Sequence, residues 1–295
     1  MNKRKYGLLC KKGTRFNCFY VLKIFKMKIF SIEITNLKYK DLLNQITKFE
    51  KQNIVFTPNP EILLKIKTDK EFENILKQAN FLTSDGIGLY IAYQILDNKY
   101  GKFINFLLLP YFFFNLFFRR KYLYEKYGDR ICGSDLTKDL LVYAENNGTQ
   151  IVILDLYNPT DEKKVASQKL FEEKLKNKFP KLKFDYIIFN PEKKEEIFEK
   201  IKNSESKIVF STLGMKKQEE NVVETMKNCE NIKLGLGVGS SFDYFIGFQK
   251  RAPKAWRAIG LEWLYRLITG PRKLERIKRL WRAIFVFIFE VFKEK

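Results

Sequence analysis

The chain contains no histidine, so any proton it moves must be handled by a carboxylate, a tyrosine or a lysine. Ser-His-Asp and Cys-His catalysis and imidazole metal sites are thereby excluded. Five short segments carry groups able to do the remaining chemistry. In Thr57-Pro58-Asn59-Pro60-Glu61 two prolines fix φ and remove amide donors, giving a rigid corner between a strand and a helix. Thr57 and Asn59 there offer a hydroxyl and an amide to a sugar or phosphate, or serve as an Asx or Ser/Thr turn cap. Thr83-Ser84-Asp85-Gly86-Ile87-Gly88 places a carboxylate in a glycine turn that lets a substrate approach the backbone. Asp85 is the candidate general base, with an ordinary Asp-Gly turn as the simpler reading.

Arg130-Ile131-Cys132-Gly133-Ser134-Asp135 reads as the start of a helix able to take an anion, with Arg130 beside it. Gln218 stands in Leu213-Gly214-Met215-Lys216-Lys217-Gln218-Glu219, just after an apolar run. Gly237, Gly239 and Asp243 belong to a glycine-rich loop, 234–243, which alone is a weak nucleotide-like signal.

These segments need a frame that brings them together. Apolar runs at 54–56, 151–154, 186–189, 208–210 and 233–236 alternate with charged helical patterns at 61–78, 161–177 and 191–203. That rhythm predicts an α/β fold: a Rossmann-like, mostly parallel sheet with helices on both faces. All five segments then follow strands and meet along one edge of the sheet, where open α/β sheets bind ligands. The division expected is a basic N-terminal extension (1–26), an α/β core (27–247) with an apolar insertion at about 102–122, and an Arg- and aromatic-rich C-terminal appendage (248–295). Arg272 and Arg276 are an i, i+4 pair, so the appendage is expected to be a basic, membrane-docking helical element.

The charge agrees with an anionic partner. Lys and Arg outnumber Asp and Glu by 55 to 34, a net +21 over 295 residues, part of which a lysine-heavy coding bias explains. The four cysteines (Cys10, Cys18, Cys132, Cys229) show no CxxC spacing and fit a reducing compartment. There is no DxD pair, hence no evident carboxylate clamp for a divalent ion on a diphosphate, and no cofactor or metal is expected. The aromatic run 103–118 is too short to span a bilayer and contains a proline. With the apolar stretch 284–292 it reads as core or as an interfacial membrane element.

In order, TPNPEIL, SDGIGL, RICGSDL, LGMKKQE, GVGSSFDYFIGFQKRAP and GLEWLYRLITGPRK resemble the WecG/TagA/CpsF glycosyltransferases (glycosyltransferase family 26), over roughly 28–282. The resemblance implies an inverting, metal-independent transfer of N-acetylmannosamine or a related hexose from a UDP-sugar. The acceptor would be an undecaprenyl-diphosphate-linked sugar, in cell-surface polysaccharide or teichoic acid synthesis. It implies Asp85 as base and Thr57, Asn59 and Gln218 near the substrates. It assigns Arg266, Arg272, Lys273 and Arg276 to the acceptor diphosphate and an anionic membrane, on whose cytoplasmic face the enzyme would sit peripherally. A homo-oligomer is compatible with all of this.

Three features depart from the family pattern. The segment between Asp85 and Arg130 is long, Gly270 stands where an acidic residue before Pro271 is usual, and the N-terminal extension is unmatched. A basic nucleic-acid-binding protein would explain the charge and the Trp/Arg tail. The sequence holds no helix-turn-helix, RNP or zinc signature, and the five strand-end segments would be left idle. An inactive membrane scaffold is separated from an enzyme only by assay.

Overall fold

Along the strand Ile151–Leu156 (β5), Ile151 and Ile153 point into one buried cluster while Val152 and Leu154 point into another. A strand buried on both faces belongs in a parallel sheet covered on both sides by helices, and that is the architecture found. The computed structural model describes residues 25–156, 162–247, 250–253, 255–256, 262–269, 277–278 and 280–295. Strands Asn53–Phe56 (β3), Phe81–Leu82 (β4), β5, Phe184–Phe189 (β6), Ile208–Ser211 (β7) and Leu234–Gly237 (β8) form a six-stranded sheet in the order β4-β3-β8-β7-β5-β6. All of its pairings are parallel.

One face is covered by helices Tyr39–Ile46 (α1), Gly133–Asn147 (α8), Glu162–Lys178 (α9) and Ser241–Phe245 (α12). The other is covered by Pro60–Lys65 (α2), Lys70–Leu76 (α3), Gly88–Asp97 (α4), Lys194–Lys202 (α10) and Lys217–Asn228 (α11). Leu140 on α8 is fully buried, and its truncation to alanine is expected to cost about 2–5 kcal/mol.

The helical pattern expected over 61–78 is two helices. Asp69 interrupts it by capping α3, its carboxylate accepting from the Phe72 amide at 3.0 Å, because a short acceptor side chain competes with the helical backbone. A hairpin of Phe25–Ile29 (β1) and Ile32–Asn36 (β2) pairs antiparallel outside the main sheet. Its turn holds Phe30 at φ 55°, a conformation that phenylalanine gives no sign of in sequence.

The long segment after α4 folds as helices Lys102–Leu107 (α5), Leu109–Phe118 (α6) and Arg120–Tyr127 (α7). Phe112, Asn115 and Leu116 face inward, and Asn115 donates to Gln94 of α4 at 2.9 Å. Downstream come Glu262–Thr269 (α13), a π turn over Arg282–Val286 and Phe287–Glu294 (α14). Phe287 of α14 meets Phe30 edge-on at 5.9 Å, and Glu290 pairs with Lys67 at 2.5 Å. Among the described residues no helix is long and apolar enough to cross a membrane.

Candidate active site

The carboxyl ends of β3 and β4 are joined by their backbones. The Thr83 amide donates to the Phe56 carbonyl at 2.9 Å and the Asp85 amide to the Pro58 carbonyl at 3.2 Å. Gly86 has φ +96°, and a Cβ there would lie 3.3 Å from Pro60 Cδ; one on Gly88 would lie 2.9 Å from Pro60 Cγ. The two prolines are therefore a wall on which the Asp85 loop is laid. Asn59 caps α2, its Oδ1 accepting from the Ile62 amide at 3.0 Å, so the turn-cap reading holds for that atom, and Nδ2 is the group left to donate to a ligand. Behind Asp85, Ser84 donates to Asn36 at 3.0 Å and shares a 2.5 Å hydrogen bond with the buried Tyr93 hydroxyl.

Arg130 arrives from the loop before α8, whose Ile131 amide donates to the Ser84 carbonyl at 3.0 Å. Burial alone would lower the Arg130 pKa, but the negative charges of Asp85 and Glu262 keep it above its ordinary value. Burial, and then the Asp85 charge, push the Cys132 thiol up to about 11. A Cβ on Gly133 would come within 2.9 Å of Thr57 Oγ1, so the start of α8 lies directly against the end of β3. Arg251 donates to Ser134 Oγ at 2.7 Å and pairs with Asp135 at 2.8 Å. Two guanidinium groups and a helix N-terminus thus stand beside one carboxylate loop, a setting for negative charge.

Between the two halves of the edge stands Gln218 on α11. Its Oε1 accepts from the Gly239 amide at 2.8 Å and its Nε2 donates to Glu219 at 2.7 Å. Glu219 also accepts from the Lys216 amide at 2.7 Å, and its burial raises its pKa. A Cβ on Gly237 would meet Gln218 Cγ at 2.9 Å. The glycines of this loop thus make room for the glutamine, which holds Gly239 in place.

Beyond Gly239 opens a cavity of about 530 Å³, lined by Asp155, Phe171, Tyr186, Thr212, Phe242 and Asp243 together with Gly214, Gly239 and Ser240. Thr212 donates to Asp155 Oδ1 at 2.7 Å, and the Tyr186 hydroxyl donates to Asp155 Oδ2. Burial and then Asp155 hold the Tyr186 phenol well above its usual range. Aromatic faces with carboxylate acceptors suit a planar ring carrying hydroxyl or N–H donors rather than a phosphate.

The family model for the glycosyl transferase WecG/TagA/CpsF family matches residues 27–109 and 116–295. This chain belongs to that family. It is a glycosyltransferase of cell-surface polysaccharide synthesis, and the six residues 110–115, within α6, fall outside the family pattern.

Of the residues singled out in sequence, the fold of the transferase brings Asp85, Thr57, Asn59 and Arg130 together at the β3/β4 end. Gln218, Gly237 and Gly239 sit in the middle and Asp243 at the far cavity. Arg266 lies on α13, while Arg272, Lys273 and Arg276 lie outside the described residues. Sequence reasoning missed Arg251 and Glu262, although both stand inside the quoted motifs QKRAP and GLEWLY. It also missed Asp155 and Thr212, each at a strand's carboxyl end and detectable by that position. Tyr186, inside β6, had no such signal. Among the described residues no three His, Cys, Asp or Glu side chains are grouped to hold a metal.

Proposed function

We propose that this transferase moves N-acetylmannosamine or a related hexose from a UDP-sugar to an undecaprenyl-diphosphate-linked sugar, inverting the anomeric carbon. In this reading the uracil and ribose enter the cavity of Asp155 and Asp243, against the wall that Phe171, Tyr186 and Phe242 form. The sugar reaches toward Asp85. Asp85 and Asp155 are separated by four strand steps, about 19 Å at ~4.8 Å per strand, an extended span that an elongated nucleotide sugar and its acceptor can share.

Asp85 takes the proton of the acceptor hydroxyl as that oxygen forms the new bond to the anomeric carbon. The bond from that carbon to the β-phosphate oxygen breaks, its electron pair staying with UDP. A positioned base contributes about 10²–10⁴-fold to such a step. Negative charge developing on UDP falls to Arg130, Arg251 and the backbone amides of the glycine loops, with no metal required. Arg266, Arg272, Lys273 and Arg276 are assigned to the acceptor diphosphate and to an anionic leaflet on the cytoplasmic face, which the enzyme would meet peripherally.

The observation that supports the reading best is the joining of the Asp85 loop to the Thr57–Asn59 corner, beside Arg130 and along the same edge as the cavity. Purified protein incubated with a panel of UDP-sugars and a synthetic prenyl-diphosphate sugar, with products identified by mass spectrometry, tests it. A glycosylated lipid product that still forms in EDTA is expected; no product from any donor would contradict the reading. Full loss in EDTA, restored by magnesium or manganese, would contradict its metal-independent part.

A further inference from the structure

The outer face of α5 and α6 inverts the usual order of a surface helix. Tyr111, Phe114 and Phe118 are exposed at i, i+3, i+7 while Asn115 is buried against Gln94. On α5, Phe103 is 74% exposed and Phe106 60%. This face continues onto the C-terminal segment. Phe106 and Phe292 have ring centroids 6.5 Å apart, and Lys102 donates to the Lys293 carbonyl at 3.4 Å. There a second exposed stripe runs through Trp281, Phe285 and Phe289 at i, i+4, i+8, held outward because Phe287, Ile288 and Val291 are buried on the opposite side.

We propose that α5, α6 and the outer stripe of the C-terminal segment form one docking face that lies in the headgroup region of an anionic bilayer, separately from the tail arginines. It rests on, and deepens, the reading of a lipid-linked acceptor. The charges around the face select this occupant. Between Asp97 and Glu125 there is no acidic residue, while Lys99, Lys102, Arg119, Arg120 and Lys121 border the aromatics. A second copy of the chain would set those cations against their own symmetry mates, whereas an anionic leaflet neutralises them. The ten residues of α6 extend about 15 Å, half of a hydrocarbon core, so the helix lies along the surface rather than across it. The six residues that the family pattern skips, 110–115, lie within this face, so that part of it differs from the family pattern.

The full-length protein carrying Phe103→Asp, Phe114→Asp and Phe118→Asp tests the face by sedimentation with vesicles of phosphatidylcholine mixed with phosphatidylglycerol. No donor, acceptor or turnover is needed, so its outcome is independent of the transfer assay. With circular dichroism unchanged, vesicle affinity is expected to fall at least about tenfold, as loss of several interfacial aromatics requires. A Phe114→Trp protein keeps an aromatic ring in place, and its added fluorescence is expected to be quenched by lipids with brominated chains. Vesicle binding equal to wild type by the folded aspartate variant, or no added quenching in Phe114→Trp, would overturn the proposal. So would conversion of a lipid-free dimer to a monomer by the aspartates with vesicle binding intact, which would make the face a self-association surface.

Discussion

The Asp85 amide donates to the Pro58 carbonyl at 3.2 Å, so the loop carrying the proposed base hangs on the corner that carries Thr57 and Asn59. Gly86, at φ +96° with Pro60 close by, makes that bend. An alanine there pays the left-handed penalty of about 1–2 kcal/mol. Gly86→Ala is expected to lower Tm by a few degrees, by the scaling of about 2–4 °C per kcal/mol, and to lower kcat by a larger factor than lost stability explains. Calorimetry and initial rates on the same preparation check it.

Asn59 separates a structural from a substrate role within one side chain. Asn59→Asp keeps the oxygen that caps α2 and replaces only Nδ2, so stability should change by a few tenths of a kcal/mol, since Asp and Asn rank alike as caps. Asn59→Ala loses the cap as well, at about 1 kcal/mol. A drop in kcat/KM shared by both variants, with a drop in Tm only in the alanine variant, is the expected pattern.

Gly237→Ala places a methyl 2.9 Å from Gln218 Cγ. Overpacking of this kind costs about 1–3 kcal/mol, and the displaced glutamine releases the amide of Gly239, which lines the cavity. The donor KM is expected to rise more than kcat falls, read from saturation curves with the active UDP-sugar.

How far the sequence carries can be judged from these same residues. The strands β3, β5, β6, β7 and β8 were legible as apolar runs to within two residues, because a strand buried on both faces leaves an unbroken apolar run. The β1–β2 hairpin was not, since its turn rests on Phe30 rather than on an Asn-Gly pair. At the site, Asp85 and Asn59 stand in loops with their own turn chemistry and were readable. Tyr186 was not, and Asp155 was marked only by its place at a strand's carboxyl end. Their hydrogen bond joins neighbouring strands 31 residues apart, and pairings of that kind have no local signature. Asn59 was read as a ligand group or a cap, and the structure assigns its Oδ1 to the cap.

Cys132 offers a reading of the charge on Asp85. Burial comes first and the Asp85 carboxylate second in pushing the thiol from 9.0 up to about 11. A thiol whose folded pKa exceeds its unfolded value keeps its proton longer when folded, so its contribution to stability is present below about 9 and is lost as pH rises through about 11. Asp85→Asn removes one raising charge, and the Cys132 thiolate should form at a lower pH. Thiolate absorbance titrated with and without Cys132→Ser, in both backgrounds, isolates that shift; an unchanged Cys132 titration would separate the two groups.

The central claim is that Asp85 takes the acceptor proton, and its most direct test is single-turnover transfer by Asp85→Asn with the active UDP-sugar and lipid acceptor. The amide keeps the shape and the Pro58 hydrogen bond but cannot accept the proton. The account predicts a folded protein that binds the UDP-sugar with wild-type affinity and transfers about 10²–10⁴-fold more slowly. Transfer by the folded variant at near the wild-type rate would contradict it.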